Sequence, residues 1–201
     1  MKFEKPFPHF VSTDLFDREQ LRRAVAEWPA EGWKEYETGK RALSHLGEMP
    51  RSLQTVVAGK AAYRLESLLS AELGIPNLIA DDTLYGAGLH ETLRGGRLGM
   101  HVDFNIHPRT KLYRRVNVIL YLNDDWTEED GGALILSNGT ADEDAMISPR
   151  LGTFVAWEVG DERWHGHPDP LESESRKSIA WYFYTAEKPQ GFSEKHGTIY
   201  R

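Results

Sequence analysis

From about residue 83 onward the chain breaks into short apolar segments separated by turn-forming pairs, and this texture constrains the fold more than any other property of the sequence. The expected strands are Thr83–Leu93, Leu98–Phe104, Arg115–Leu122, Ala133–Leu136, Thr153–Trp157, Arg163–His165 and Ser178–Thr185. Gly95-Gly96, Asn123-Asp124-Asp125, Gly131-Gly132 and Asn138-Gly139 supply the turns, because glycine and asparagine tolerate the backbone angles that tight reversals demand. Many short strands at regular spacing imply a sandwich or jelly roll. Upstream, Leu21, Ala24, Val25 and Trp28 recur at helical spacing, with a cap expected at Ser12 or Thr13 and a stop at Pro29. A longer helix is expected from about Ser52 to Leu73, ended by Gly74 and Pro76. The expectation is one domain, mainly β with flanking N-terminal helices. A helical buttress over about residues 1–80 packs on a β core over about residues 81–187.

Composition narrows the function classes. A chain of 201 residues can bury one sizeable core, and 11% aromatic residues argue against disorder. A net charge of −7 opposes general nucleic-acid binding. The absence of cysteine removes disulfides and thiolate metal sites, so any metal must use His, Asp or Glu. No signal peptide opens the sequence and no apolar run is long enough to span a membrane, so a cytoplasmic protein is expected.

The chemistry concentrates in His101-Val102-Asp103, answered much later by Trp164-His165-Gly166-His167. Residues i and i+2 of a strand share a face, so His101 and Asp103 can converge on one ion. Two histidines and one carboxylate on one side of a metal suit Fe(II) and leave coordination positions open. The distal ligand stays open between His165 and His167, which share a parity. Pro168 forces extended backbone at His167, and His165 sits deeper in the expected strand, so His165 is favoured. Of the eight histidines, His9, His45 and His196 are read as structural, and His90 and His107 as groups flanking the site.

In its order of motifs the sequence resembles the Fe(II)/2-oxoglutarate-dependent oxygenases, in particular the prolyl-hydroxylase-like branch, over roughly residues 83–187. His101-Val102-Asp103 resembles the ligand motif, Asn117 to Trp126 the strand and turn after it, and Gly131-Gly132-Ala133-Leu134 the entry to the next strand. His165 is followed by Arg176-Lys177-Ser178, similar to an Arg-x-Ser motif. The resemblance implies a double-stranded β-helix of cupin-like form, with Fe(II) held by His101, Asp103 and His165 and with 2-oxoglutarate and O₂ as cosubstrates. It places Arg176, Tyr121 and Ser178 at the cosubstrate, where a guanidinium fork matches a carboxylate.

Because Asp103 retains a carboxylate, the resemblance implies hydroxylation, or a related desaturation or ring closure, rather than halogenation. The expected substrate is a small or amino-acid-like molecule, with 2-oxoglutarate decarboxylated to succinate. A protein prolyl hydroxylase, a non-catalytic binding or sensor module and a cupin-like enzyme using no 2-oxoacid are the alternatives. Arg94, Arg97, Arg109, Lys111, Arg114 and Arg115 form a locally basic stretch. It reads either as capture of an anionic substrate or as solvated charge. Phe104, Trp126, Trp157 and Trp164 can line a pocket or fill the core, and Trp181 to Tyr184 are expected to form a strand without a special role.

Overall fold

In the computed structural model, which describes residues 1–59, 64–190 and 192–201, two antiparallel sheets pack face to face. The larger runs β1 (Lys2–Phe3), β2 (His9–Ser12), β11 (Phe154–Glu158), β8 (Tyr113–Tyr121), β13 (Ser175–Thr185), β6 (Gly88–Leu93), β4 (Lys40–Leu43) and β3 (Lys34–Glu37). A short β5 (Ile79–Ala80) pairs with the far end of β13. The smaller sheet runs β10 (Ala145–Ile147), β9 (Leu134–Ser137), β12 (Trp164–His167), β7 (Leu98–Val102) and β14 (Ile199–Tyr200). This is the expected jelly roll, buttressed on the outer face of the larger sheet by α1 (Arg18–Ala26), α2 (Arg51–Ala58) and α3 (Leu65–Leu73).

Period-two alternation decides what each strand of the larger sheet does. Along β13, Ile179, Trp181 and Phe183 join the core beneath the helices, together with Val116, Val118 and Leu120 of β8 and Leu89 of β6. That core also takes Leu21 and Ala24 from α1, Leu53, Val56 and Val57 from α2, and Leu65 and Leu69 from α3. Burying such aliphatic side chains stabilises by roughly 1.5–3 kcal/mol apiece, and the Trp181 indole donates to the Val57 carbonyl at 2.8 Å, tying β13 to α2. The opposite faces carry polar groups: Arg176, Ser178 and Tyr182 from β13, His90 and Thr92 from β6, and Asn117 from β8 all line a cavity between the sheets. A smaller apolar cluster of Phe7, Tyr121, Leu134, Leu136, Val155 and Trp157 closes the space beside it.

Several local expectations need correction. The first third is not simply helical, because β1 to β4 lie within it and extend both edges of the larger sheet. β3 and β4 read Lys-Glu-Tyr-Glu and Lys-Arg-Ala-Leu, without apolar alternation; β3 is a charged edge strand held by its pairing with β4, which itself pairs with β6 and buries Lys40 and Leu43. The cap of α1 is Asp17, whose carboxylate accepts from the Gln20 amide at 2.7 Å, while Ser12 belongs to β2. The helix expected over Ser52–Leu73 is interrupted at Gly59, where the backbone is extended, and its residues 60–63 lie outside the described ones. Gly74 ends α3 as expected, in a left-handed conformation at φ 69°. The strand expected from Thr83 starts at Gly88, because the Asp81 carboxylate accepts from the amides of Thr83 and Tyr85 and holds a turn there.

Candidate metal and cosubstrate site

Strand pairing brings the separated motifs together. His101 on β7 sits directly opposite His165 on β12, their rings 4.3 Å apart, and Asp103 follows the end of β7. One ligand atom from each of the three lies within 4.8 Å of the others. The donor set suits a divalent metal for a reason beyond proximity. His101 Nδ1 lies 2.8 Å from the Gly99 carbonyl and His165 Nδ1 lies 3.1 Å from the Arg163 carbonyl. A carbonyl can only accept, so each Nδ1 carries a proton, and Nε2, the nitrogen that faces Asp103 at 3.8 Å in His101 and 3.1 Å in His165, is the atom left to meet a cation.

His167 is buried beside them in the same cavity but lacks this arrangement. Its Nδ1 has no partner among the described residues, and its Nε2 lies 3.5 Å from the Thr92 hydroxyl. Burial and the charge of Arg176 push its pKa well below the usual imidazole range. Burial, reinforced by His165, lowers that of His101 to about 4. Both rings are therefore neutral near neutral pH, and His101 is competent as a ligand.

Asp103 is held by residues outside the linear motif. Its Oδ2 accepts from the Arg114 guanidinium at 3.0 Å and from the Asn117 amide at 2.6 Å. Burial alone would raise the carboxyl pKa, but the Arg114 guanidinium beside it is the largest opposing influence, and the carboxyl is held well below 3.8. Arg114 is itself 1% exposed, donates to Asn117 Oδ1 at 2.8 Å, and stacks on Tyr182 with its guanidinium carbon 3.4 Å from the ring centroid. Arg114 reaches this face because the β8–β13 register shifts between Phe183 and Tyr184. Strict alternation from Val118 would turn it toward the helices; the bulge reverses the parity. Tyr182 thus has a site role that the sequence reading did not give it.

On the opposite wall, Arg176 donates through Nε to the Gly132 carbonyl at 2.8 Å and through a terminal nitrogen to the Tyr121 hydroxyl at 3.0 Å. Burial raises the Tyr121 pKa, with Arg176 opposing. Gly132 sits at φ 64°, and a Cβ there would come 3.0 Å from Arg176 Cδ, so the second glycine of the Gly-Gly pair makes room for the arginine. Ser178 lies opposite Tyr121 in the ladder and is likewise buried. The wall combines a buried guanidinium with two hydroxyls, a set suited to a carboxylate.

Other expectations sort cleanly. His90, Phe104 and Trp157 line the cavity, whereas His107 belongs to a turn, its Nδ1 accepting from the amides of Arg109 and Thr110. Of the basic stretch only Arg114 faces the site. Arg94 pairs with Glu174 and Arg115 with Glu158, while Arg97 and Arg109 are exposed. Sequence reasoning missed Lys40, Tyr36 and Tyr200, all of which line the cavity. They come from elements too short or too charged to show a pattern. Tyr200 lies against His101, its ring tilted by 33° at 5.4 Å between centroids, and donates to Glu37 at 2.6 Å. Among the described residues no helix is long and apolar enough to cross a membrane.

The 2OG-Fe(II) oxygenase superfamily matches residues 87–184, the span holding every one of these motif residues. No curated protein sequence matches the chain. Among solved structures, a prolyl-4-hydroxylase from Pseudomonas putida superposes with a TM-score of 0.64 at 20% identity, covering 89% of this chain and 93% of that one. A prolyl hydroxylase from Trichoplax adhaerens, in complex with a hypoxia inducible factor oxygen degradation domain peptide fragment, gives 0.56 at 14%, covering 88% and 83%. HygX from Streptomyces hygroscopicus, with nickel, 2-oxoglutarate and hygromycin B bound, gives 0.55 at 15%, covering 89% and 83%. The facing His-Asp-His cluster and the buried arginine thus lie within the segment that matches the 2OG-Fe(II) oxygenase superfamily, on a jelly roll similar in fold to that of the prolyl 4-hydroxylases.

Proposed function

We propose that this oxygenase hydroxylates an unactivated C–H bond of a small, amino-acid-like molecule, with His101, Asp103 and His165 holding the iron and Arg176, Tyr121 and Ser178 holding 2-oxoglutarate. The observation that carries the reading is the pairing of two walls. A His-Asp-His cluster with both Nε2 atoms turned to Asp103 faces a buried guanidinium with hydroxyl neighbours across one cavity of about 250 Å³. With Fe(II) bound, the chemistry supplied is oxidative: one atom of O₂ enters the substrate as hydroxyl and the other enters succinate, as 2-oxoglutarate loses CO₂.

The protein's part is position, charge and dryness. The Gly99 and Arg163 carbonyls fix the imidazole tautomers, and Arg114 keeps Asp103 ionised so that no proton must be displaced when the cation arrives. Arg176 takes the far carboxylate of 2-oxoglutarate in a fork, with the Tyr121 and Ser178 hydroxyls beside it. Tyr121 and Trp157, both buried beneath the site, exclude water from the reacting end. No side chain is required as a base for the C–H step.

The preference for a small molecule over a protein substrate comes from β14. Relatives with this fold accommodate a peptide fragment in one case and hygromycin B in another. Here the edge of β7 is already occupied, Ile199 and Tyr200 pairing with Val102 and His101. An extended peptide cannot add a strand there.

The test is an anaerobic titration of the Fe(II)-loaded protein with 2-oxoglutarate, watching for the visible charge-transfer band of a chelated 2-oxoacid, followed by assay of succinate release. A band that is lost in Arg176→Ala is expected. Bound iron without a band, or an unchanged titration in Arg176→Ala, would remove the cosubstrate assignment.

A further inference from the structure

Lys40 is the first residue of β4, opposite Thr92 of β6, which is in turn opposite Arg176 of β13. The three therefore form one row across adjacent strands, and all three line the cavity that holds His101 and Asp103. Strands lie about 4.8 Å apart, so the Lys40 and Arg176 backbones stand roughly 10 Å from each other on the same wall. Lys40 is 4% exposed. Among the described residues its ammonium makes no ion pair and no hydrogen bond; its neighbour is the Tyr36 ring, 5.2 Å away at the centroid. The nearest carboxylate by sequence, Glu37, instead accepts from the Tyr200 hydroxyl at 2.6 Å. His90 completes the wall as a neutral group. Its Nε2 donates to the Gly86 carbonyl at 3.1 Å, which leaves Nδ1 to accept from the Tyr36 hydroxyl at 3.3 Å.

A buried ammonium without a counter-charge is costly and is kept where a ligand supplies the missing charge. The charge count in the cavity identifies that ligand. 2-Oxoglutarate brings two carboxylates, one directed to the metal and one to Arg176, so the cosubstrate leaves Lys40 unmatched. We infer that Lys40 anchors a carboxylate carried by the substrate and so selects acids over their neutral analogues. The inference rests on Arg176 being occupied by 2-oxoglutarate. It places the substrate between β4 and the metal, with Tyr36 and His90 as polar neighbours.

The test uses protein loaded with Ni(II) and saturated with 2-oxoglutarate, a combination that binds without turnover. Thermal melting is followed with a panel of free amino acids and short monocarboxylates at millimolar concentration, each matched to its primary amide. At least one acid raises the melting temperature by several degrees while its amide does not, since only a ligand of the native state stabilises it. Lys40→Met weakens that acid by at least about tenfold, Lys40→Arg retains part of it, and 2-oxoglutarate affinity changes by less than about threefold. Methionine matches lysine in volume and removes the buried charge, so the variant folds, and its own melt verifies this. Three results overturn the inference: no acid shifts the melt, an amide binds as well as its acid, or Lys40→Met weakens 2-oxoglutarate instead. The last would make Lys40 a second clamp on the cosubstrate. If the native protein failed to bind 2-oxoglutarate, the cosubstrate reading would fall, while the acid-against-amide comparison, repeated without it, still decides Lys40.

Discussion

Replacing Arg114 with methionine removes the positive charge that balances Asp103 while keeping most of the side-chain volume. Both partners are largely withdrawn from water, with Arg114 side chain 1% and Asp103 side chain 13% exposed. Removing one member of a buried pair strands the other and costs about 3–5 kcal/mol. Loss of the guanidinium stacked 3.4 Å from the Tyr182 centroid and 4.4 Å from that of Phe104 adds to this. In a chain of this size 1 kcal/mol moves the melting temperature by roughly 2–4 °C, so metal-free Arg114→Met melts about 6–20 °C below the native protein.

The assay is urea unfolding of chelator-treated protein, run as a cycle with Asp103→Asn. Neutralising Asp103 in the Arg114→Met background recovers most of the loss, because the stranded charge is gone. Ni(II) also narrows the gap between native and Arg114→Met, since the cation supplies the missing counter-charge. A loss under about 1 kcal/mol, or the same loss whether or not Asp103 is neutral, would show that Arg114 acts by packing alone and refute the electrostatic argument.

Three further outcomes follow from the geometry. His165→Ala loses Ni(II) binding measured by calorimetry, whereas His167→Ala retains it, because only His165 has its Nδ1 proton fixed by a carbonyl; the reverse result would make His167 the ligand. Tyr121→Phe takes an acceptor from the Arg176 guanidinium, a loss of about 1.5–3 kcal/mol that raises the KM for 2-oxoglutarate some ten- to hundredfold with kcat little changed. Lys40 bears on the pH dependence of stability. Burial lowers its pKa from 10.5 to about 7 in the native protein. Between these values the unfolded chain binds more protons than the native one, so native stability rises with pH across the window and is flat below it. The rise is missing from Lys40→Met in urea midpoints measured at about pH 7.5 and pH 9.5, and an identical pH profile in the two proteins would contradict the burial of a titrating Lys40.

The strands that carry the site were legible because their residues alternate. Spacing puts His101 and Asp103 on one strand face with His165 on a distant strand, and Ser178 beside Arg176; Tyr121 comes from the resemblance. The structure puts His101 opposite His165 and Asp103 just past the end of β7. Where alternation fails, the reading failed with it. Arg114 could not be assigned to the cavity because a register shift reverses its side, and nothing in Tyr113-Arg114-Arg115 announces a bulge. Lys40 and Tyr36 sit in a charged hairpin, and Tyr200 in a strand of only two residues; each gains its position from a neighbour far along the chain. Periodicity found the helices and Gly74 marked the end of α3, but the start of α1 was missed, since Asp17 outcompetes Ser12 as a cap through geometry that no pattern displays.

The two-sidedness of β13 has a consequence for how this protein can change. Ile179, Trp181 and Phe183 answer to the helices behind the sheet, while Arg176, Ser178, Ala180 and Tyr182 answer to whatever occupies the cavity. Selection for a folded chain and selection for a new substrate therefore act on alternate letters of the same strand. Substrate preference can drift at Ala180 while the scaffold is held at Ile179 and Trp181. A fold partitioned in this way can keep its shape while most of its sequence turns over.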